Sequence, residues 1–260
     1  ITVDRRVTRR SILSSLLEII EYNHLFSPRL AFFEIGPVFL PMAGQQLPEE
    51  KMMLSIGLTG QRELPSWNSK SSGMMDFYDL KGIVEGLLHG LHIEEVMFQS
   101  GKHPSLHPGK TAEVWIGEKS VGFLGELHPL VKANYELDEP PVLVAEFDLE
   151  ALLDSAQIMF DVASITTYPP VLEDLAVVVD EAVSAAEVEQ VLRKGGGEFL
   201  ANVTLFDIFR GAQVGEGKKS LAFSLTYQAP DRTLTDKEVQ KLRAKIVHLL
   251  DQTLGASLRT

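Results

Sequence analysis

The sequence has no cysteine. Disulfides, thiolate nucleophiles and Cys-ligated zinc are excluded together, and a cytoplasmic, reducing compartment fits. No run of about 20 apolar residues is present, so no membrane span and no membrane partner are expected. Ile1 begins neither a signal-peptide pattern nor with methionine, which reads as the start of a fragment. Catalytic signatures are missing as well. There is no Gly-x-Ser-x-Gly elbow for a serine nucleophile. Glycines 211, 215 and 217 precede two lysines without the Gly-Lys-Ser/Thr spacing of a P-loop, and no dinucleotide fingerprint occurs. Basic residues are few. The 24 Lys and Arg stand against 36 Asp and Glu, a formal net charge of −12, which speaks against a uniformly nucleic-acid-binding surface.

What is present describes a folded chain. With 45% apolar and 23% charged residues over 260 positions, there is enough apolar surface to offset the entropy of ordering the backbone, and the length suits two domains. The charge is uneven. Residues 161–260 carry 14 acidic and 11 basic side chains, whereas the first 160 carry 22 and 13. The C-terminal part is close to neutral, and its charge can be sorted by face.

Periodicity gives a mixed α+β chain. After the basic pairs Arg5-Arg6 and Arg9-Arg10, a helix is predicted over about Ser11–Asn23, then strands at Leu30–Glu34 and Val38–Leu40 interrupted by Gly36-Pro37. A further strand at Met52–Thr59, a loop at Gln61–Gly73 and a helix over Asp76–Leu91 follow. His103–Gly109, with two prolines and a glycine, is read as irregular. Strands at Ala112–Ile116, Val121–Gly125 and Val142–Leu149 suggest an antiparallel sheet. Residues 1–150 form the first expected domain, 151–164 a linker and 165–260 the second. In the second, Ser184–Glu187 and Thr235–Glu238 are capping boxes that open helices, and Ser220–Tyr227 alternates apolar and polar. The order β-α-β-β-α-β is the ferredoxin-like split pattern, which by itself does not fix a function.

Two sets of residues invite chemistry. His103, His107, Glu126 and His128 could hold a metal for hydrolysis, but a four-residue His spacing serves a metal on a helix and Pro104 argues against one. No metal site and no catalytic residue are therefore assigned. The second set lies at strand ends of the C-terminal domain: Tyr168, Phe209, Arg210, Lys218, Lys219, Tyr227 and Arg232, with Phe206 beside them; the plainer reading makes Phe206 or Phe223 core and the lysines a solvated turn. Rings stack on unpaired bases and basic groups follow the phosphate backbone, as in sheet-faced RNA modules.

The residues also carry a family resemblance. Tyr168–Ala176, Leu205–Gly211, Lys219–Phe223 and Asp231–Val239 resemble four segments of the ferredoxin-fold anticodon-binding domain that ends the β chain of bacterial phenylalanyl-tRNA synthetase. Leu30–Phe39, Asp76–Gly82, His107–Ala112 and Gly122–Pro129 resemble segments of the same chain's class II synthetase-like module, in the same order. Two places depart from the pattern. Arg10–Leu17 has serine where the family has proline, and Glu173-Asp174 places an acid where the family has a basic residue.

The resemblance implies the C-terminal part of such a β chain: a catalytically silent class II-like module, then an anticodon-binding domain. Its partners would be the α chain, tRNA(Phe) and a second β chain in a heterotetramer. ATP and Mg would be used by the whole enzyme and none by this part. Helices Ser11–Asn23 and Asp76–Leu91 are expected at the α-chain interface. Consistent with silence, no Arg-x-Glu follows Phe33-Glu34 and no Gly-x-Gly-x-x-Arg occurs, so a clamp for a triphosphate is missing.

Overall fold

The computed structural model describes residues 6–68, 73–137, 139–159 and 166–259. Arg5, residues 69–72 of the expected loop and residues 160–164 of the expected linker lie outside them. The chain divides into two compact units, 1–161 and 162–260.

The first unit is a six-stranded antiparallel sheet with helices on both faces. Its elements are α1 (Leu13–His24), β1 (Arg29–Leu40), β2 (Glu49–Gly60), α2 (Phe77–Gly90), β3 (Val96–Ser100), β4 (Leu106–Ile116), β5 (Lys119–Leu127), α3 (Pro129–Ala133), β6 (Val142–Asp148) and α4 (Leu149–Ser155), with strand order β1-β2-β6-β5-β4-β3. Strand β6 is buried on both sides, which explains its continuous apolar run. Val142 and Val144 pack with Leu13, Leu16, Leu17 and Ile20 of α1. Leu143, Ala145 and Phe147 pack with Leu80, Val84 and Leu88 of α2 and with Ala151 and Leu152 of α4. Gly57 of β2 lets α1 lie close, since a Cβ there would sit 2.8 Å from Ile20 Cδ1.

Three sequence expectations change here. Gly36-Pro37 does not interrupt β1, because β1 is an edge strand and the Pro37 carbonyl points outward to accept from Arg9 Nε at 2.9 Å. A proline nitrogen on that outer side costs no ladder bond. His107–Gly109 lies within β4, as an extended bulge between the pairs Leu106–Leu127 and Thr111–Gly125. The expected linker begins as helix α4, capped by Asp148 and anchored by the buried Ala151 and Leu152.

The second unit contains β7 (Val171–Asp180), α5 (Ala185–Gly196), β8 (Leu200–Phe209), β9 (Lys218–Tyr227), α6 (Asp236–Leu254) and β10 (Ser257–Leu258). Its antiparallel sheet has the order β10-β7-β9-β8, and the βαββαβ order is the predicted one. Both capping boxes form, Ser184 with Glu187 and Thr235 with Glu238. Leu175, Val177, Val179, Leu221, Phe223, Leu225 and Tyr227 form one core with Val188 and Leu192 of α5 and Ile246 and Leu250 of α6. Gly195 makes the helix contact possible, since a Cβ there would meet Ile246 Cγ1 at 2.7 Å. Both helices cover one face of the sheet, and the other face is open.

Candidate nucleic-acid interface

Strand alternation decides what the open face presents. With the odd-numbered residues of β7 and β9 committed to the core, Asp174, Ala176 and Val178 of β7 and Ser220, Ala222, Ser224 and Thr226 of β9 line the other side. On β8, Val203 and Leu205 pair with the core residues Leu225 and Phe223. A bulge then falls between Leu205 and Asp207, so the alternation shifts by one: Asp207 pairs with Ala222 and Phe209 with Ser220. Phe206, next to the core-facing Leu205, is on the open side by alternation alone, and the bulge turns Asp207 and Phe209 to join it. Phe206 is 57% exposed, which corrects the plainer reading of it as core, while Phe223 is core.

Arg259 completes the surface. Just beyond β10, it is tied down by its backbone N–H, which donates to Ala176 O at 2.9 Å. Its guanidinium lies over the Phe209 ring, 4.5 Å from the centroid, and donates to Gln213 Oε1 at 3.1 Å. A shallow cleft of about 210 Å³ is lined by Phe206, Arg259, Asp174, Ala176, Ala222 and Leu258, and Arg243 of α6, paired with Glu173 at 3.0 Å, reaches it past the β10 edge. Small side chains on β7 and β9 leave the room, a ring forms one wall, and two guanidinium groups, Arg259 and Arg243, and a carboxylate face it. That is the chemistry for holding an unpaired base by its π-face and its polar edge.

The seven residues expected from the sequence do not gather there. Tyr168 is 39% exposed before β7, with its carbonyl accepting from Gln228 Nε2. Arg232 is near the same end of the sheet, paired with Glu238 at 2.7 Å and Asp231 at 3.2 Å. At the opposite end, Arg210 grips the Glu181 carboxylate with two nitrogens, at 2.8 and 3.1 Å. This hydrogen bond holds Glu181 below the usual carboxylate range. Lys218 is exposed at the start of β9. Two readings are corrected. Tyr227 lies on the core face with no exposed surface and cannot stack on a base. Lys219 is also on that face and donates Nζ to Glu181 O at 2.8 Å. Of the seven, Phe209 alone takes part in the cleft's aromatic–guanidinium pair. Arg259 was missed because a residue near a chain end gives no signal until β10 docks beside β7.

The alternative metal set is dispersed in roles of its own. His103 stacks on Phe123 at 4.0 Å, and burial pushes its pKa down. His107 Nδ1 accepts from Gly109 N–H, His128 Nδ1 caps α3 by accepting from Leu130 N–H, and Glu126 pairs with Lys110. Among the described residues, no three His, Asp or Glu side chains form a metal-binding group. Nor does the first unit's apolar groove between β1, β2, α2 and α4 fit a triphosphate. Its volume is about 430 Å³ and its walls are Phe33, Ile35, Ile56, Ile83, Leu87 and Leu153 with other apolar side chains, without one charged group.

Comparison with known proteins divides the chain in the same way. A family model described as the phenylalanyl tRNA synthetase beta chain CLM domain matches residues 1–149. A model described as the ferredoxin-fold anticodon binding domain matches residues 166–259. Similar curated relatives are phenylalanine–tRNA ligase beta subunits. That of Symbiobacterium thermophilum is 41% identical over 99% of this chain and 29% of its own length. That of Moorella thermoacetica is 43% identical over 98% and 32%. The chain thus spans about a third of the length of the curated relatives it matches.

Proposed function

Because the chain belongs to the phenylalanyl tRNA synthetase beta chain family, we propose that it is the non-catalytic C-terminal part of such a subunit. In this reading the second unit, a ferredoxin-fold anticodon-binding domain, holds the anticodon region of tRNA(Phe) on its open sheet face. The observation that carries it is the grouping of Phe206, Phe209 and Arg259 over small side chains on the one face the helices leave bare. The rings take bases and Arg259 takes an acceptor edge or a phosphate. Asp174 and Asp207 accept from base amino groups and limit the net attraction, so binding by this unit alone is weak.

The first unit, read as a class II synthetase-like module, supports assembly with an α chain. Exposed Tyr22, Leu25 and Phe26 at the end of α1 supply apolar surface for a protein partner, with Tyr22 and Phe26 in ring contact at 5.5 Å. Phenylalanine activation with ATP and Mg belongs, in this reading, to the α chain of a cytoplasmic heterotetramer with two β chains. Among the described residues no helix is long and apolar enough to cross a membrane. The test is a pair of measurements. Filter-binding titrations of the chain with tRNA(Phe) should show affinity falling with salt and a loss on Arg259→Gln. Co-expression with an α chain should yield a complex, whereas the chain alone should charge no tRNA. An unchanged affinity for Arg259→Gln would refute the open-face assignment.

A further inference from the structure

The basic residues of the second unit are not spread evenly over its helical layer. Lys237, Lys241 and Lys245 recur every fourth residue of α6, all exposed, and exposed His248 continues the line. Four residues advance a helix by about 6 Å, so the three lysines occupy roughly 12 Å of one ridge. None of the three has an ion pair or hydrogen bond among the described residues. The acids of α6 leave the three lysines unpaired. Glu238 is bound by Thr235 and Arg232, Asp236 is in the first turn, and Asp251 lines the flank toward β10 with Gln240, Ala244 and His248. On α5, which packs on α6 through Gly195 and Ile246, Lys194 is exposed as well. The neighbouring Arg193 is neutralised by Glu189.

Like charges at i and i+4 destabilise a helix, and no ion pair among the described residues offsets these. Solubility does not require them, because a chain of net charge −12 is already far from neutrality. An anionic partner would offset them. The ridge carries no exposed large apolar or aromatic side chain, so it lacks the anchors of a protein interface. Lysines are mobile point charges, suited to following phosphates without reading bases.

We propose that the outer face of α6 is a second RNA-contacting surface, which takes the sugar-phosphate backbone of double-stranded RNA without regard to sequence. It goes beyond the open-face reading and fails separately from it, because the sheet lies between the two surfaces. The probe is a fluorescent 16-base-pair RNA duplex with no unpaired bases, titrated by anisotropy against the full chain at several salt concentrations. The unsubstituted chain and Arg259→Gln should bind it equally. The triple variant Lys237→Gln, Lys241→Gln, Lys245→Gln should bind about tenfold more weakly at low salt, with a salt slope reduced by about 2. All three positions are exposed, and an unchanged melting curve checks that the variant folds. No binding of the duplex, equal binding by the triple variant, or a preference for polyglutamate over the duplex would each overturn the proposal. Loss of duplex binding on Arg259→Gln would overturn it too, by assigning the contact to the sheet face.

Discussion

Glu146 Oε2 accepts the backbone N–H groups of Ile12, at 2.9 Å, and Leu13, at 3.1 Å, together with the Ser11 hydroxyl at 3.0 Å. The carboxylate comes from the middle of β6 and is 5% exposed. It satisfies orphan donors at the start of α1, where Ile12 itself supplies no side-chain cap. One buried acid therefore fixes where the helix begins on the sheet.

Glu146→Ala should destabilise the first unit by about 1–3 kcal/mol, the cost of leaving buried donors unpaired. Both tryptophans, Trp67 and Trp115, belong to that unit, so urea unfolding followed by tryptophan fluorescence reads it selectively. Burial raises the Glu146 pKa above its ordinary 4.5, outweighing the hydrogen bonds. The associated stability is full below 4.5 and is lost as pH rises through the raised value. Glu146→Gln keeps an acceptor for the two N–H groups and should flatten that pH dependence. A slope identical to that of the unsubstituted protein would contradict the assignment.

Glu238 has the opposite sign. Its hydrogen bonds from Thr235, backbone and side chain, and from Arg232 hold its pKa down to about 2. Its contribution is present above the ordinary 4.5 and is lost as pH falls toward 2. Circular dichroism melts should show the second unit weakening over that window, and Glu238→Gln should remove the dependence.

Tyr227 should be a silent residue for RNA. Its hydroxyl is buried without a hydrogen-bond partner, and burial, with Glu173 nearby, pushes its pKa up to about 12. Removing an unpaired buried hydroxyl relieves a desolvation cost, so Tyr227→Phe should melt at the same or a higher temperature and leave RNA affinity unchanged. Spectrophotometric titration should find one of the five tyrosines ionising near 12. A large loss of RNA affinity in this variant would show that the ring leaves the core.

On the open face, Phe206→Ala should cost about 1–3 kcal/mol in binding a single-stranded anticodon-loop RNA if a base stacks there. Arg259→Gln should lower the salt slope by about 1. Arg210→Ala should leave that slope nearly unchanged, because its charge is already committed to Glu181. The same slope loss for Arg210 as for Arg259 would reverse this ranking.

Local chemistry made much of the molecule legible without a structure. Capping boxes at Ser184 and Thr235, the alternation from Leu221 to Tyr227 and the helical stripes specify the βαββαβ order, because each depends on residues within a few positions of one another. The same holds for Tyr227, whose inward side follows from that alternation even though its place at a strand end suggested a binding role. Tertiary structure alone decided the site. The bulge after Leu205 reverses which β8 residues face outward, the docking of β10 brings Arg259 over Phe209, and Glu181 claims Arg210 and Lys219 from 29 and 38 residues away. These are partnerships between distant segments, set by register and packing, and no local pattern encodes them. Glu146 obeys the same division. Its sequence neighbours make it a strand residue, and only the sheet, by placing α1 above it, makes it a cap.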